Sequence, residues 1–173
     1  IPELLNREKV SRPMVVTDPG LMACGVTPQI LEVLKAAGVE YSLYDKVEPN
    51  PTVTTVNAIQ AQYIGERCDS FIAIGGGSSM DAAKGAAARV VKPNKGVNQL
   101  GGLLKVRRRL PTFIAVPTTA GTGSETTIAA LITDQETHHK YAIMDLMLIP
   151  RYAVLDPAVT RLLPPEVTAA TGL

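Results

Sequence analysis

The chain has 173 residues, of which 46% are apolar and 19% charged, with a formal net charge of +1. This length suits one well-buried domain and is short for two, and the composition excludes an intrinsically disordered chain. Scattered basic residues argue against a nucleic-acid partner, and the absence of a roughly 20-residue apolar stretch argues against a membrane partner.

Apolar runs alternate with helical patterns in the first half of the chain. The strands predicted there cover residues 13–17, 39–44 and 71–74. The helices are predicted to run from an N-cap at Thr27 to a stop at Gly38, then over 53–67 and 79–91. This βαβαβα order predicts a parallel sheet with right-handed crossovers and helices on both faces.

The second half of the chain has a different pattern. Its predicted elements are, in order, a polar loop over 92–109, a strand over 113–116, strand-like runs over 126–133 and 140–144, and a strand over 151–155. The two middle runs are separated by a polar segment and therefore predict a β-hairpin. His138 and His139 at its tip are adjacent, point to opposite faces of a strand and cannot share a metal ion. We interpret Asp156, before Pro157, as a turn residue.

The first candidate site is the glycine turn that follows the strand at 71–74. Gly75, Gly76 and Gly77 leave no side chain between this strand and the next helix, so backbone amides can approach a phosphate. Ser78 and Asp81 have the spacing of a capping box that would fix the start of that helix. The alternative interpretation is a tight turn with an ordinary cap.

The second candidate site is the threonine-rich loop that follows the strand at 113–116. Its hydroxyls, at Thr118, Thr119, Thr122 and Ser124, can both donate and accept hydrogen bonds, as phosphate, ribose or a carboxamide requires. The alternative is that these hydroxyls only satisfy their own backbone. Neither loop matches a Walker A or a G-x-G-x-x-G motif.

Asp18 follows the first predicted strand, where α/β sheets place ligand contacts. A carboxylate there can accept both hydroxyls of an adenosine ribose, and it would repel a 2′-phosphate. Asp18 therefore predicts NAD, with NADP less favoured, although an Asp-Pro-Gly turn explains the same residues.

Two long strings, G-G-G-S-S-M-D-A-A-K over 75–84 and P-T-T-A-G-T-G-S-E over 117–125, resemble the iron-containing (group III) alcohol dehydrogenases. Shorter matches over 17–21, 49–52, 132–134 and 163–172 extend the resemblance to nearly the whole chain. It implies a Rossmann-like, dehydroquinate synthase-like N-terminal α/β domain with a β-hairpin. The implied reaction is reversible hydride transfer between a small alcohol or aldehyde and NAD.

The resemblance also implies which residues contact the cofactor. Gly76, Gly77 and Ser78 would bind the pyrophosphate, Asp18 the ribose, and Thr118, Thr119 and Thr122 the adenine and nicotinamide sides. The implied cofactor-binding set is completed by Asn50, Asp81, Lys140 and Val159.

The family also has a helical domain whose Asp and three His residues bind Fe²⁺ or another divalent metal. By resemblance, residues 1–162 form the cofactor domain and 163–173 begin the first helix of that helical domain. We expect the rest of that domain, with the metal ligands, to be missing from this sequence. Two alternatives stay open: a nucleotide-binding module without catalysis, and another activity on a dehydroquinate synthase-like scaffold.

Two further expectations concern the setting of the protein. Cys24 and Cys68 lie outside any C-x-x-C or Cys/His cluster, which is typical of a reduced compartment and predicts a cytoplasmic protein. Faces that would meet the helical domain would be bare, so we expect a homo-oligomer.

Overall fold

The fold was analysed in a computed structural model, which describes residues 1–161 and residue 169. The helix predicted over 163–173 falls, apart from residue 169, outside the described residues. None of the helices that the structure describes is long and apolar enough to cross a membrane.

The described helices and strands follow one another along the whole of this part of the chain. The helices are α1 (Pro2–Glu8), α2 (Pro19–Ala23), α3 (Val26–Ala36), α4 (Val53–Gly65), α5 (Gly77–Val91), α6 (Val97–Leu100) and α7 (Pro157–Thr160), with a 3₁₀ turn over Leu146–Leu148. The strands are β1 (Pro13–Val16), β2 (Ser42–Tyr44), β3 (Ser70–Gly75), β4 (Gly102–Leu103), β5 (Thr112–Pro117), β6 (Ala129–Thr133), β7 (Lys140–Met144) and β8 (Tyr152–Ala153).

The main sheet is parallel throughout, with the strand order β2-β1-β3-β5-β8. Alternate residues of its central strands face two separate apolar layers, because successive side chains of a strand point to opposite faces. Phe71 and Phe113 face the layer built with α4 and α5, whereas Ile72 and Ile114 face the layer built with α1 and α3. The predicted parallel α/β fold with helices on both faces is confirmed.

The predicted hairpin is also confirmed, as β6 and β7 pair antiparallel from Ala129↔Met144 to Thr133↔Lys140. It belongs to a second, three-stranded sheet, in which β4 joins β7 in parallel. Gly85 lets α5 pack closely on this sheet and on α4, since a Cβ there would lie 3.0 Å from Val56 and 3.2 Å from Ile132.

The polar loop predicted over 92–109 contains α6 and β4. Its backbone is tied to the second sheet by Asp145, whose carboxylate accepts from the amides of Val106 and Arg107 at 3.1 and 2.9 Å. A carboxylate 38 or more residues away fixes this segment, so no local pattern predicts it.

Two predicted helix starts were wrong. Helix α3 starts at Val26 after Gly25, which has a φ of 87°, and Thr27 is buried and shares a 2.9 Å hydrogen bond with Thr17. The capping box at Ser78 and Asp81 is not formed, because α5 starts two residues earlier than predicted, after Gly76. In both helices a glycine starts the helix before the residue whose side chain could cap it.

Candidate functional site

The topology creates a crevice at the carboxyl ends of β1 and β3. The chain passes from β1 to β2 on one side of the sheet and then to β3 on the other, so the flanking helices cover opposite faces. Open α/β sheets place ligands at such a switch point. Asp18 follows β1 and Gly76 follows β3, so two of the predicted site residues meet there.

The first cleft at this edge has a volume of about 410 Å³. Its walls come from the segments that follow β1, β2, β3 and β5. It is lined by Asp18, Pro19, Gly20, Val47, Glu48, Pro49, Gly76, Gly77, Ser78, Ser79 and Thr119.

The glycine turn forms the floor of the first cleft. Gly75 has a φ of 150°, and a Cβ there would lie 2.5 Å from Ser79 Oγ. At Gly76 a Cβ would lie 2.8 Å from Thr119 Oγ1, so the turn and the threonine loop touch only because glycine is there. The backbone conformation thus requires glycine at position 75, and the close approach of Thr119 requires glycine at position 76.

No side chain of the described residues caps the N-terminus of α5. Ser78, predicted as a cap, instead accepts a 3.4 Å hydrogen bond at Oγ from the Asn50 amide. The first amides of α5 therefore keep their hydrogen-bonding capacity for a ligand in the first cleft. Uncapped amides at the positive end of a 15-residue helix favour an anion such as a diphosphate.

Asp18 combines both of its predicted roles. It is the N-cap of α2, with Oδ1 accepting from the Leu21 amide at 3.0 Å, and Oδ2 accepts from the Ser79 hydroxyl at 3.5 Å. The cap holds the carboxylate in one position while it lines the first cleft.

Glu48 is a second anion in the first cleft, which sequence reasoning missed. Burial by itself raises its pKa, but hydrogen bonds from the hydroxyls of Thr55 and Thr52, at 2.7 and 2.8 Å, outweigh burial and lower the pKa. A signal was present, because Glu48 directly precedes the Pro49-Asn50-Pro51-Thr52 string and Thr52 caps α4.

A second cleft of about 260 Å³ lies beside the first, and Thr119 lines both. Its walls come from the threonine loop and from the segment that contains α7. The lining residues are Pro117, Thr119, Ala120, Gly121, Glu125, Leu155, Asp156, Pro157 and Thr160. The two clefts form a groove along the carboxyl edge of the sheet, which suits a ligand longer than a mononucleotide.

The other two predicted threonines do not line either cleft. Thr118 is buried, and its amide donates to the carbonyl of Gly75 at 3.1 Å, which links the loop to the glycine turn. The Thr122 hydroxyl is buried and has no hydrogen-bond partner in the described part of the chain.

The remaining predicted residues take different positions. Lys140 donates from Nζ to Asn50 Oδ1 at 3.2 Å, so the pair reaches the first cleft through the Asn50–Ser78 contact. Val159 lies on α7, which contributes Pro157 and Thr160 to the second cleft. Asp156, interpreted as a turn residue, is the N-cap of α7 and accepts from the Ala158 amide at 2.9 Å.

Asp81 lies away from both clefts, beside the second sheet. Its pKa is raised to about 6 by burial, against a hydrogen bond from the Leu131 backbone and attraction to Lys84. It stays a predicted cofactor residue without a direct contact with the groove.

Lys84 is a second residue whose role was not predicted from the sequence. Its side chain is fully buried, and Nζ donates to the carbonyls of Ser124, Thr127 and Ala129 at 2.7, 2.8 and 3.3 Å. The one available signal was a lysine amid the small residues of D-A-A-K-G-A-A-A.

A larger cleft of about 500 Å³ lies elsewhere, next to the amino end of β5, between Arg109, Thr112, Met147 and Arg151. In the part of the chain that the structure describes, its walls contain neither a glycine turn nor the N-terminus of an α-helix, so we assign the candidate site to the carboxyl edge. Among the described residues, no three His, Cys, Asp or Glu side chains converge to hold a metal ion.

A parallel α/β sheet with a glycine turn and an uncapped helix at its switch point defines a Rossmann-like domain. Residues 1–157 match the family model for iron-containing alcohol dehydrogenases, and the chain belongs to that family.

Similar proteins agree with this assignment. The chain is 40% identical over 166 residues to choline dehydrogenase of Bacillus subtilis, covering 95% of this chain and 41% of that protein. Alcohol dehydrogenase from Oenococcus oeni superposes with a TM-score of 0.93 at 38% identity, covering 99% and 45% of the two chains. Sulfoacetaldehyde reductase from Bifidobacterium kashiwanohense, solved with NAD⁺, superposes with a TM-score of 0.86 at 29% identity, covering 99% and 45%. The chain thus spans less than half the length of these proteins.

Proposed function

We propose that this chain binds NAD along the groove at the carboxyl edge of its main sheet, as the cofactor-binding part of an alcohol dehydrogenase. The observation that carries the proposal is the uncapped N-terminus of α5 in the same cleft as the anchored Asp18 carboxylate. A dinucleotide needs this combination, an anion site beside a hydroxyl acceptor.

The described residues fit such a cofactor. The amides of Gly77, Ser78 and Ser79 would bind the pyrophosphate, and Asp18 would accept from the hydroxyls of the adenosine ribose. Thr119, which lines both clefts, would contact the cofactor where it passes from one cleft to the other. When bound, NAD supplies the hydride acceptor for oxidation of a small alcohol, and the residues of this chain bind and orient it.

The described residues do not fit a metal ion. We propose that the ligands of the metal are not among residues 1–161. We also propose that residues 1–162 form the cofactor domain, that the protein is a cytoplasmic homo-oligomer, and that the substrate is a small alcohol or aldehyde.

The choice between NAD and NADP tests the proposal through the charge of Asp18. Asp18→Asn removes this charge but keeps an oxygen that can accept from the Leu21 amide, so the cap on α2 is retained. We expect the wild type to bind NAD at least about ten-fold more tightly than NADP, and the variant to lose most of this difference. Titration calorimetry of both cofactors into both proteins measures it.

Asp69→Asn is the matched control, because the Asp69 carboxylate also accepts from backbone amides, those of Ser11 and Arg12, but lies at the amino end of β3, away from both clefts. Its NAD-to-NADP ratio should equal that of the wild type. Equal affinities of the wild type for the two cofactors, or tighter binding of NADP, would refute the role of Asp18.

A further inference from the structure

Lys84 connects the core of α5 to the threonine loop, residues 118–128. Four acceptors surround its ammonium group: the carbonyls of Ser124, Thr127 and Ala129 and the Thr127 hydroxyl at 3.1 Å. An ammonium has three protons and no lone pair, so this shell of oxygens matches the charged form of the side chain.

The loop that Lys84 contacts has no helix or strand of its own. Its described backbone hydrogen bonds include a turn from the Thr126 amide to the Gly123 carbonyl at 2.9 Å and the link from Thr118 to Gly75. A segment with so few internal bonds keeps one conformation only if other parts of the molecule hold it. Among the described residues outside the loop, Lys84 makes the largest group of polar contacts with it.

Two acidic groups face this ammonium. Burial lowers the pKa of Lys84 to about 8, against attraction from Asp81 on its own helix and Glu125 on the loop. Glu125 lines the second cleft, and its Oε2 is buried without a hydrogen-bond partner among the described residues. The charge on Lys84 is thus balanced between a costly burial and two nearby carboxylates, and it changes within the range of ordinary solution conditions.

We propose that Lys84 is a positioning residue, whose buried ammonium fixes residues 118–128 so that Thr119 lies between the two clefts and thereby sets the affinity for the cofactor. The inference rests on the proposed binding of NAD in the groove. The affinity for NAD then depends on the fraction of molecules in which Lys84 holds the loop in the binding conformation.

Lys84→Met tests this, since methionine has a similar length but donates no hydrogen bond. We expect its NAD affinity at pH 7 to be at least about ten-fold lower than that of the wild type. The wild-type affinity should fall by a similar factor between pH 7 and pH 9.5, because the neutral amine keeps two protons for four acceptors. The affinity of Lys84→Met should be flat over this range. Titration calorimetry of NAD into both proteins at a series of pH values measures these affinities and their pH dependence.

Lys105→Met is the matched control, because it removes the charge of an exposed lysine remote from the groove and should keep the wild-type profile. If Lys84→Met shows no cooperative unfolding transition, Lys84→Arg replaces it. Arginine keeps its charge, so its affinity should not fall up to pH 9.5, and a wild-type decline in this variant would overturn the proposal.

Hydrogen exchange gives a readout that does not require NAD. Amides in 119–127 should exchange at least about ten-fold faster in Lys84→Met, while those of β3 and β5 keep their wild-type rates. If Lys84→Met has the NAD affinity and the loop exchange rates of the wild type, the inference about Lys84 is overturned, while the proposed binding of NAD still stands. Failure of the wild type to bind NAD would overturn the proposed function, and with it the effect of Lys84 on affinity.

Discussion

The two loops of the groove reach their conformations in different ways. The glycine turn is determined locally, by the φ of 150° at Gly75 and by a helix that starts right after Gly76. The threonine loop is held from outside, by a lysine 40 residues earlier in the sequence. A locally determined turn is available to a ligand under all conditions in which the fold persists, whereas a loop held by one buried charge depends on that charge.

This difference gives the two loops different roles. The turn offers backbone amides, whose hydrogen-bonding capacity does not change with pH between 6 and 10. The loop offers hydroxyls whose placement follows the protonation of Lys84. We therefore expect pyrophosphate contacts to contribute a constant part of the affinity for the cofactor, and the loop to contribute the part that varies.

The largest effect is expected from filling the glycine turn. Gly76→Val introduces a Cβ 2.8 Å from Thr119 Oγ1 and adds two methyl groups between the turn and the loop. Its φ of −87° is acceptable to any residue, so the damage should be steric and confined to the first cleft. We expect a loss of NAD affinity of about a hundred-fold or more, measured by calorimetry.

Gly65→Val provides the comparison for Gly76→Val, because no atom lies within 4 Å of a Cβ at the exposed Gly65. It should bind NAD as the wild type does. If Gly76→Val also kept wild-type affinity, the turn would not carry the pyrophosphate, and the comparison between the two loops would fail.

A smaller effect is expected on the free energy of unfolding. It depends on pH through Lys84, which holds the threonine loop but not the glycine turn. The pKa of Lys84 in the folded chain is about 8, below its ordinary value of 10.5, so between these values the unfolded chain binds one more proton. Stability therefore rises with pH in this window. The free energy of unfolding of the wild type, relative to Lys84→Met, should rise by up to about 3 kcal/mol between pH 8 and pH 10.5.

Urea denaturation of both proteins at several pH values measures this difference. Stability and NAD affinity should move in opposite directions as pH rises, because the charge that orders the loop is costly to bury. A constant difference in stability between the two proteins would show that the pKa of Lys84 is the same in the folded and unfolded chains. The charge of Lys84 would then not change between pH 7 and pH 9.5, which contradicts the pH dependence expected for the loop.

The local sequence predicted much of the fold. The glycine turn, the order of strands and the hairpin follow from apolar runs and turn residues, which act over a few positions. The predicted starts of α3 and α5 were wrong because these helices begin after Gly25 and Gly76, without a side-chain cap. A sequence pattern that looks for capping side chains has no signal for such a start.

The candidate site was predicted less completely, because half of it depends on distant contacts. Asp18 and Gly76 directly follow strands, so their meeting at the switch point could be foreseen from the order of elements. Lys84 and Glu48 had only weak signals, the small residues around the lysine and the proline string after the glutamate. Their roles could not be read from these signals, since each residue acts through side-chain contacts that depend on the folded chain.

The most direct test of the groove is a titration of the ¹⁵N-labelled chain with NAD, followed by amide chemical shifts. We expect the largest changes at Gly77, Ser78 and Ser79 and at Thr119, where the two clefts meet. Changes confined to the cleft near Arg109 and Met147, or no saturable change at the glycine turn, would contradict the assignment of the cofactor to the carboxyl edge of the sheet.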